Sequence, residues 1–243
     1  MAEAIQPISV FSTTHWSIVL GAGQDNPALA AVALERLCRI YWFPIYAFIR
    51  RRGSSPHDAE DSTQGFFAHL LEKESFKKLD RQKGKFRSFM LAALTNFLNN
   101  EWDKRQTLKR GGKIQIISLD ETRAEELYSH EPVDSLTPEK LFERRWAFAV
   151  VERVFARLKE EYATADKLQL FGKLEHGLTC EVTQAVCAEW AVALETSEGA
   201  VKMALHRLRR RYGELLREEI ALTVSTPEEL DEEIRHLCAA MAG

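Results

Sequence analysis

The chain has 243 residues, 45% of them hydrophobic and 28% charged, with a formal net charge of −3. That length carries one large or two small domains with real cores. The composition excludes a disordered chain, no apolar run approaches membrane-spanning length, and a net charge this small leaves nucleic-acid binding only to segregated charge.

Segregation is strong. Phe76 to Lys113 holds eleven Lys or Arg against three acids, Ser118 to Glu143 eight acids against two bases, and Glu214 to Gly243 again eight against two. Alternating blocks of this kind suggest two DNA-facing surfaces separated by an acidic linker and closed by an acidic tail. The four cysteines, Cys38, Cys180, Cys187 and Cys238, have no metal-ligand spacing and read as reduced packing residues. No Lys or Arg precedes Arg36, so the start lacks the charged region of a signal peptide. The expected location is the cytoplasm, with no membrane partner.

In chain order, residues 1–28 form an irregular N-terminal extension with a weak apolar segment at Trp16 to Leu20. Leu29 to Arg52 reads as a helix pair or a bent helix, interrupted at Pro44. After the Gly53-Ser54-Ser55-Pro56 turn, His57 to Glu72 is a helix, and a loop at Asp80 to Lys85 leads into another from Phe86 to Arg105. The strand-like Ile114 to Leu119 sits beside Gly111-Gly112 and reads as linker. Helical periodicity resumes from Leu141 to Tyr162, and Pro227 opens a terminal helix, Glu228 to Met241. The expected fold is all-α, with two small helical domains (29–107 and 140–216) joined by an acidic flexible linker (108–139) and followed by an acidic C-terminal extension (217–243).

The most informative stretch is SEGAVKMALHRLRRRY, Ser197 to Tyr212. Ser197 is an N-cap, and Val201, Leu205, Leu208 and Tyr212 form one apolar stripe. Met203, His206, Arg207 and Arg210 lie opposite, flanked by Lys202, Arg209 and Arg211. On charge alone this run reads first as a solvated basic face. Upstream, however, Val186, Trp190, Ala191 and Leu194 supply a first helix and Glu195-Thr196 a turn, which makes a helix-turn-helix. The turn position after Leu194 favours a residue that tolerates positive φ, and the chain offers Glu195.

Two further helices carry distinct faces. In the first, Ala59, Thr63, Phe66, Phe67 and Leu70 point inward, leaving an acidic outer face of Asp61, Gln64 and Ala68 flanked by Glu60, which suits a basic protein surface. In the second, Phe86, Phe89, Met90, Ala93, Leu94, Phe97 and Leu98 fill one side. Ser88, Thr95, Asn99 and Trp102 occupy the other, with Arg87 and Arg105 near the boundary. A tryptophan there either caps a neighbouring core or stacks on an unpaired base, and the cluster Lys77, Lys78, Arg81, Lys83, Lys85 and Arg87 just before it favours the base.

The segments YWFPIYAFIRRRG (Tyr41 to Gly53), DAEDSTQGFFAHLLE (Asp58 to Glu72) and GKFRSFMLAALTNFLNNEWDKRQ (Gly84 to Gln106) resemble the second conserved region of bacterial RNA polymerase sigma factors. SEGAVKMALHRLRRRY resembles the fourth. With no third domain between them, the arrangement is similar to the extracytoplasmic-function group. TTHWSIVL, LTPEKLFERRW and EELDEEIRHL resemble a subgroup carrying extensions at both ends. The resemblance implies that Glu60, Asp61 and Gln64 meet the clamp helices of the polymerase's largest subunit. It implies that Lys83, Lys85, Phe86, Arg87, Asn96, Asn99, Trp102 and Arg105 recognise and open the downstream promoter element. Ser197, Lys202, Met203, His206, Arg207 and Arg210 would read the upstream element, with the acidic linker threading the polymerase cleft. The implied partners are core RNA polymerase, including its flap region, and promoter DNA, with an anti-sigma protein left open. No cofactor, metal or catalytic residue is expected.

Two other readings stand beside this one. A stand-alone helix-turn-helix regulator explains the C-terminal half but leaves the Asp61 and Trp102 faces unused. An enzyme would have only His69 with Glu72, or Glu175 with His176, and no paired nucleophile, metal spacing or phosphate loop.

Overall fold

The computed structural model describes residues 27–71, 85–107, 121–131 and 136–242. Every regular element among them is helical: α1 (Pro27–Arg51), α2 (Pro56–Leu71), α3 (Phe86–Thr107), α4 (Glu121–Ser129), α5 (Pro138–Thr164), α6 (Leu168–Leu174), a 3-10 turn (Glu175–Leu178), α7 (Gln184–Ala193), α8 (Glu198–Ala221) and α9 (Glu228–Ala242). The helix starts follow local chemistry. Ser55 and Thr137 each precede a proline at the first helical position, where the missing N–H is harmless. Each hydroxyl then accepts a third-residue amide, Asp58 N at 3.2 Å and Lys140 N at 3.3 Å.

Of the helix pair and the bent helix expected around Pro44, the pair does not occur: α1 is one helix with Pro44 inside it. An interior proline costs about 3 kcal/mol, but Tyr41, Trp42, Ile45, Tyr46, Ala47 and Phe48 around it are all buried. Burying several large side chains at roughly 1.5–3 kcal/mol each outweighs that cost.

The chain divides into two compact units, residues 1–149 with 220–243, and residues 150–219. In the first, α1 to α3 share an aromatic core. The Tyr41 and Phe86 rings meet edge-on at 5.5 Å, and those of Phe66 and Phe97 at 5.7 Å. Of the residues expected as a C-terminal extension, 220–243 belong to this unit and contribute to its core. Val224 and Leu237 are buried, and the Phe86 amide donates to the Thr223 carbonyl at 2.9 Å.

The flexible linker is also corrected in part, since residues 121–129 form α4, which packs on α1 and α2 with Ala124 fully buried. Glu125 fastens it, accepting from Tyr46 Oη at 2.6 Å, Arg50 Nε at 3.0 Å and Arg50 Nη2 at 2.5 Å. The Tyr128 ring lies 5.0 Å under the same guanidinium. A bidentate arginine fixes direction as well as distance, so it turns an acidic segment into an ordered one. Arg50 holds the Glu125 carboxyl below the ordinary carboxylate value, opposed by partial burial. The first 28 residues' Trp16 to Leu20 segment and the Ile114 to Leu119 run lie outside the described residues.

The second unit closes on its own core. Val154 and Leu158 from α5, Phe171 and Leu174 from α6, Trp190 from α7, and Val201, Leu205 and Leu208 from α8 are buried together. Cys38 and Cys187 are buried packing residues, and burial pushes the Cys38 thiol up to about 12. No described helix is long and apolar enough to cross a membrane.

Candidate nucleic-acid interface

The helix-turn-helix is built from caps inward. Thr183 caps α7, its hydroxyl accepting from Val186 N at 3.4 Å. At the far end Leu194 is the C-cap. The Glu195 amide then donates to the Val192 carbonyl at 3.2 Å and the Thr196 amide to the Ala191 carbonyl at 2.9 Å. This paired closure requires a left-handed residue between its two bonds, and Glu195 takes that role at φ 50°. Ser197 then caps α8 by accepting from Ala200 N at 3.2 Å. The chain therefore makes the turn that a glycine would make, at the strain cost of a side chain in the left-handed region.

Glycine does appear where space demands it. A Cβ on Gly177 would lie 2.6 Å from Leu205 Cδ1 and 3.4 Å from Trp190 Cη2. The 3-10 turn gives up a side chain so that Leu205 of α8 and Val182, whose Cγ2 would lie 3.1 Å from that Cβ, can close on it.

On α8 the apolar stripe is placed as the sequence predicts, with Val201, Leu205 and Leu208 buried and Tyr212 half-buried. Lys202, Met203, His206, Arg207 and Arg210 are exposed opposite it, Met203 at 57%. The flanking cations behave differently. Arg209 Nε donates to the Gly177 carbonyl at 2.8 Å and ties α8 to the 3-10 turn. Arg211 sits among Glu161, Glu214 and Glu218 at 2.7, 3.2 and 3.3 Å. That guanidinium is the largest cause holding the Glu161 carboxyl below its ordinary value. Arg210 pairs with Glu214 at 2.9 Å in an exposed i,i+4 contact. Among the described residues, Lys202 and Arg207 enter no ion pair and remain available to phosphate. Arg207 also rims an open groove of about 600 Å³ between α8 and the start of α6, floored by Val201 and Ala204.

The start of α3 departs most from expectation. Phe86 is fully buried in the core. Arg87 is 6% exposed. Its Nε donates to Glu233 Oε1 at 2.8 Å and its Nη1 to Glu143 Oε1 at 2.7 Å, with the guanidinium 5.5 Å over the Trp146 ring. Lys85 Nζ lies 3.1 Å from Glu232 and 3.5 Å from Glu233. Phe86 thus packs in the core against Tyr41, Arg87 is enclosed between α5 and α9, and Lys85, its side chain 18% exposed, is paired to α9. Asn96 and Asn99 are exposed further along α3. Trp102 and Arg105 belong to α3, but their side chains lie outside the described residues, as does Lys83 altogether.

On α2 the predicted inward set, Ala59, Thr63, Phe66, Phe67 and Leu70, is buried throughout. Thr63 meets its burial by donating to the Ala59 carbonyl at 2.7 Å. Asp61 is exposed, 3.4 Å from His57 Nδ1, and Gln64 Nε2 donates to Glu60 Oε1 at 3.1 Å. The three residues are neighbours at i,i+3 and i,i+4 spacing, as one face requires.

Of the residues weighed for an enzyme, His69 lies against Phe97 at 5.5 Å, while Glu72 lies outside the described residues. Among the described residues no three His, Cys, Asp or Glu side chains converge as a metal site. No family model, no curated protein and no solved structure matches the chain.

Proposed function

We propose that this protein is a sigma factor of the extracytoplasmic-function kind, which binds core RNA polymerase, directs it to promoters and helps to open the DNA. One observation carries the reading. Helix α8 buries Val201, Leu205 and Leu208 on one side and presents Lys202, Met203, His206 and Arg207 on the other, behind a closed turn and a capped first helix. A helix held this way suits the major groove, where phosphates take the cations and base edges take the remaining side chains. In this reading Glu60, Asp61 and Gln64 on α2 dock the polymerase clamp, and Asn96 and Asn99 on α3 lie beside the strand to be opened.

A stand-alone regulator that binds duplex DNA without polymerase is the second reading, and the burial of Phe86 and Arg87 favours it. Run-off transcription on fragmented bacterial genomic DNA, with core polymerase and with or without this protein, separates the two. The sigma reading expects discrete new start sites sharing an upstream and a downstream element. Absence of both new starts and polymerase binding, with duplex binding intact, refutes it in favour of the regulator.

A further inference from the structure

Helix α9 is amphipathic and acidic on entry, with Glu228, Glu229, Asp231, Glu232 and Glu233 in its first six residues. An acidic first turn stabilises any helix, but two of these carboxylates do something further. Glu233 is fully buried and shares its oxygens between Arg87 and Lys85, while Glu232 takes Lys85 from the solvent side. Leu237, one turn on, is buried and anchors the helix, and His236 faces Glu143 at 3.4 Å. The cations so engaged stand at the mouth of α3, where the chain emerges from its most basic segment.

We propose that α9 is a built-in mask: its Glu232 and Glu233 carboxylates occupy the places that nucleic-acid phosphates would take on Lys85 and Arg87. The proposal rests on the sigma reading above together with the expectation from the sequence resemblance that the Lys85–Arg87 segment meets the downstream promoter element. The chemistry is competition between two anions for the same donors. Lys85 keeps 18% of its side chain exposed and its partner Glu232 61%, so this outer pair opens first. Exposed pairs are weak and screened by salt. Arg87 is the inner lock: lifting Leu237 and Glu233 with the rest of α9 frees its Nε side, while Glu143 and Trp146 on α5 still hold the other. Nucleic acid binding and α9 release are therefore coupled, and each must promote the other.

The test uses the full chain and single-stranded oligothymidylate at low salt, with amide hydrogen exchange as one readout and binding affinity as the other. Saturating oligothymidylate is expected to speed exchange of the α9 amides while leaving those of α7 and α8 unchanged. The E232Q/E233Q variant is expected to bind about tenfold more tightly, as a chain competent in about one molecule in ten would when unmasked. The variant E126Q/E139Q makes the same charge change at exposed positions that form no ion pair with Lys85 or Arg87 and is expected to move little. Equal gains in both variants would reduce the effect to net charge and overturn the mask. So would α9 protection unchanged at saturation, or no binding by any form. Polymerase binding, measured separately, keeps the two proposals apart: release of α9 by DNA in a chain that ignores polymerase leaves the mask standing and ends the sigma reading.

Discussion

Arginines on the two basic helices α3 and α8 meet opposite fates. Arg87 on α3 is enclosed by Glu143, Glu233 and Trp146, whereas Arg207 on α8 stands in solvent without an ion partner among the described residues. Both were equally plausible phosphate contacts by sequence, since each lies in a run of cations beside an apolar stripe. The difference is decided by what the rest of the chain brings to them. Acids 56 and 146 residues downstream close on Arg87. On α8 acids close on Arg210 and Arg211 and leave Arg207 without an ion pair among the described residues. A cation in a sequence is therefore a candidate, and its partner determines whether it binds nucleic acid or holds the fold.

The sharpest way to break this comparison is to remove both arginines in turn. Arg87→Ala leaves Glu233 buried with only Lys85 beside it, and is expected to lower stability by about 3 kcal/mol in urea unfolding. Replacing the pair together, as Arg87→Met with Glu233→Leu, is expected to recover most of that loss. A single variant as stable as the parent would show that Arg87 is not locked in solution.

Within the α8 region, Gly177→Ala forces Leu205 and Val182 from a close-packed seat and is expected to cost about 1–3 kcal/mol. Thermal unfolding reads this directly. An unaffected midpoint would mean that the 3-10 turn is not pressed against α8.

Glu195→Gly acts in the opposite direction. It relieves a left-handed residue with a side chain and is expected to stabilise by about 1 kcal/mol, without altering affinity for DNA. A destabilised variant would place Glu195 outside the left-handed region.

Arg207→Ala has the smallest expected effect on stability, within about 0.5 kcal/mol, because the residue is exposed. Its effect should appear instead in the salt dependence of duplex binding, where losing one phosphate contact lowers the slope by about 0.9. An unchanged slope would remove Arg207 from the interface and the contrast with Arg87 along with it.

Much of the structure was legible along the chain because it depends on neighbours a few residues apart. Ser197 as a cap, the need for positive φ at Glu195, the buried stripe of α8 and the inward set of α2 all follow from local geometry and helical period. The sequence left open whether Pro44 splits the segment into two helices or lies within one, since the penalty is local while the compensating burial comes from helices elsewhere. The order in α4 was hidden for the same reason. Glu125 looks like one more charge in an acidic run until Arg50, 75 residues earlier, is placed beside it.

The sequence by itself determined the all-helical character, the caps, the helix-turn-helix and the side of each helix that must be buried, because periodicity and capping are properties of contiguous residues. Only the tertiary structure decided which charges remain available. It drew the acidic tail onto the start of α3, turned Lys85 and Arg87 inward and left Lys202 and Arg207 outside. Charge pairing acts across a few ångströms in space and is indifferent to distance along the chain.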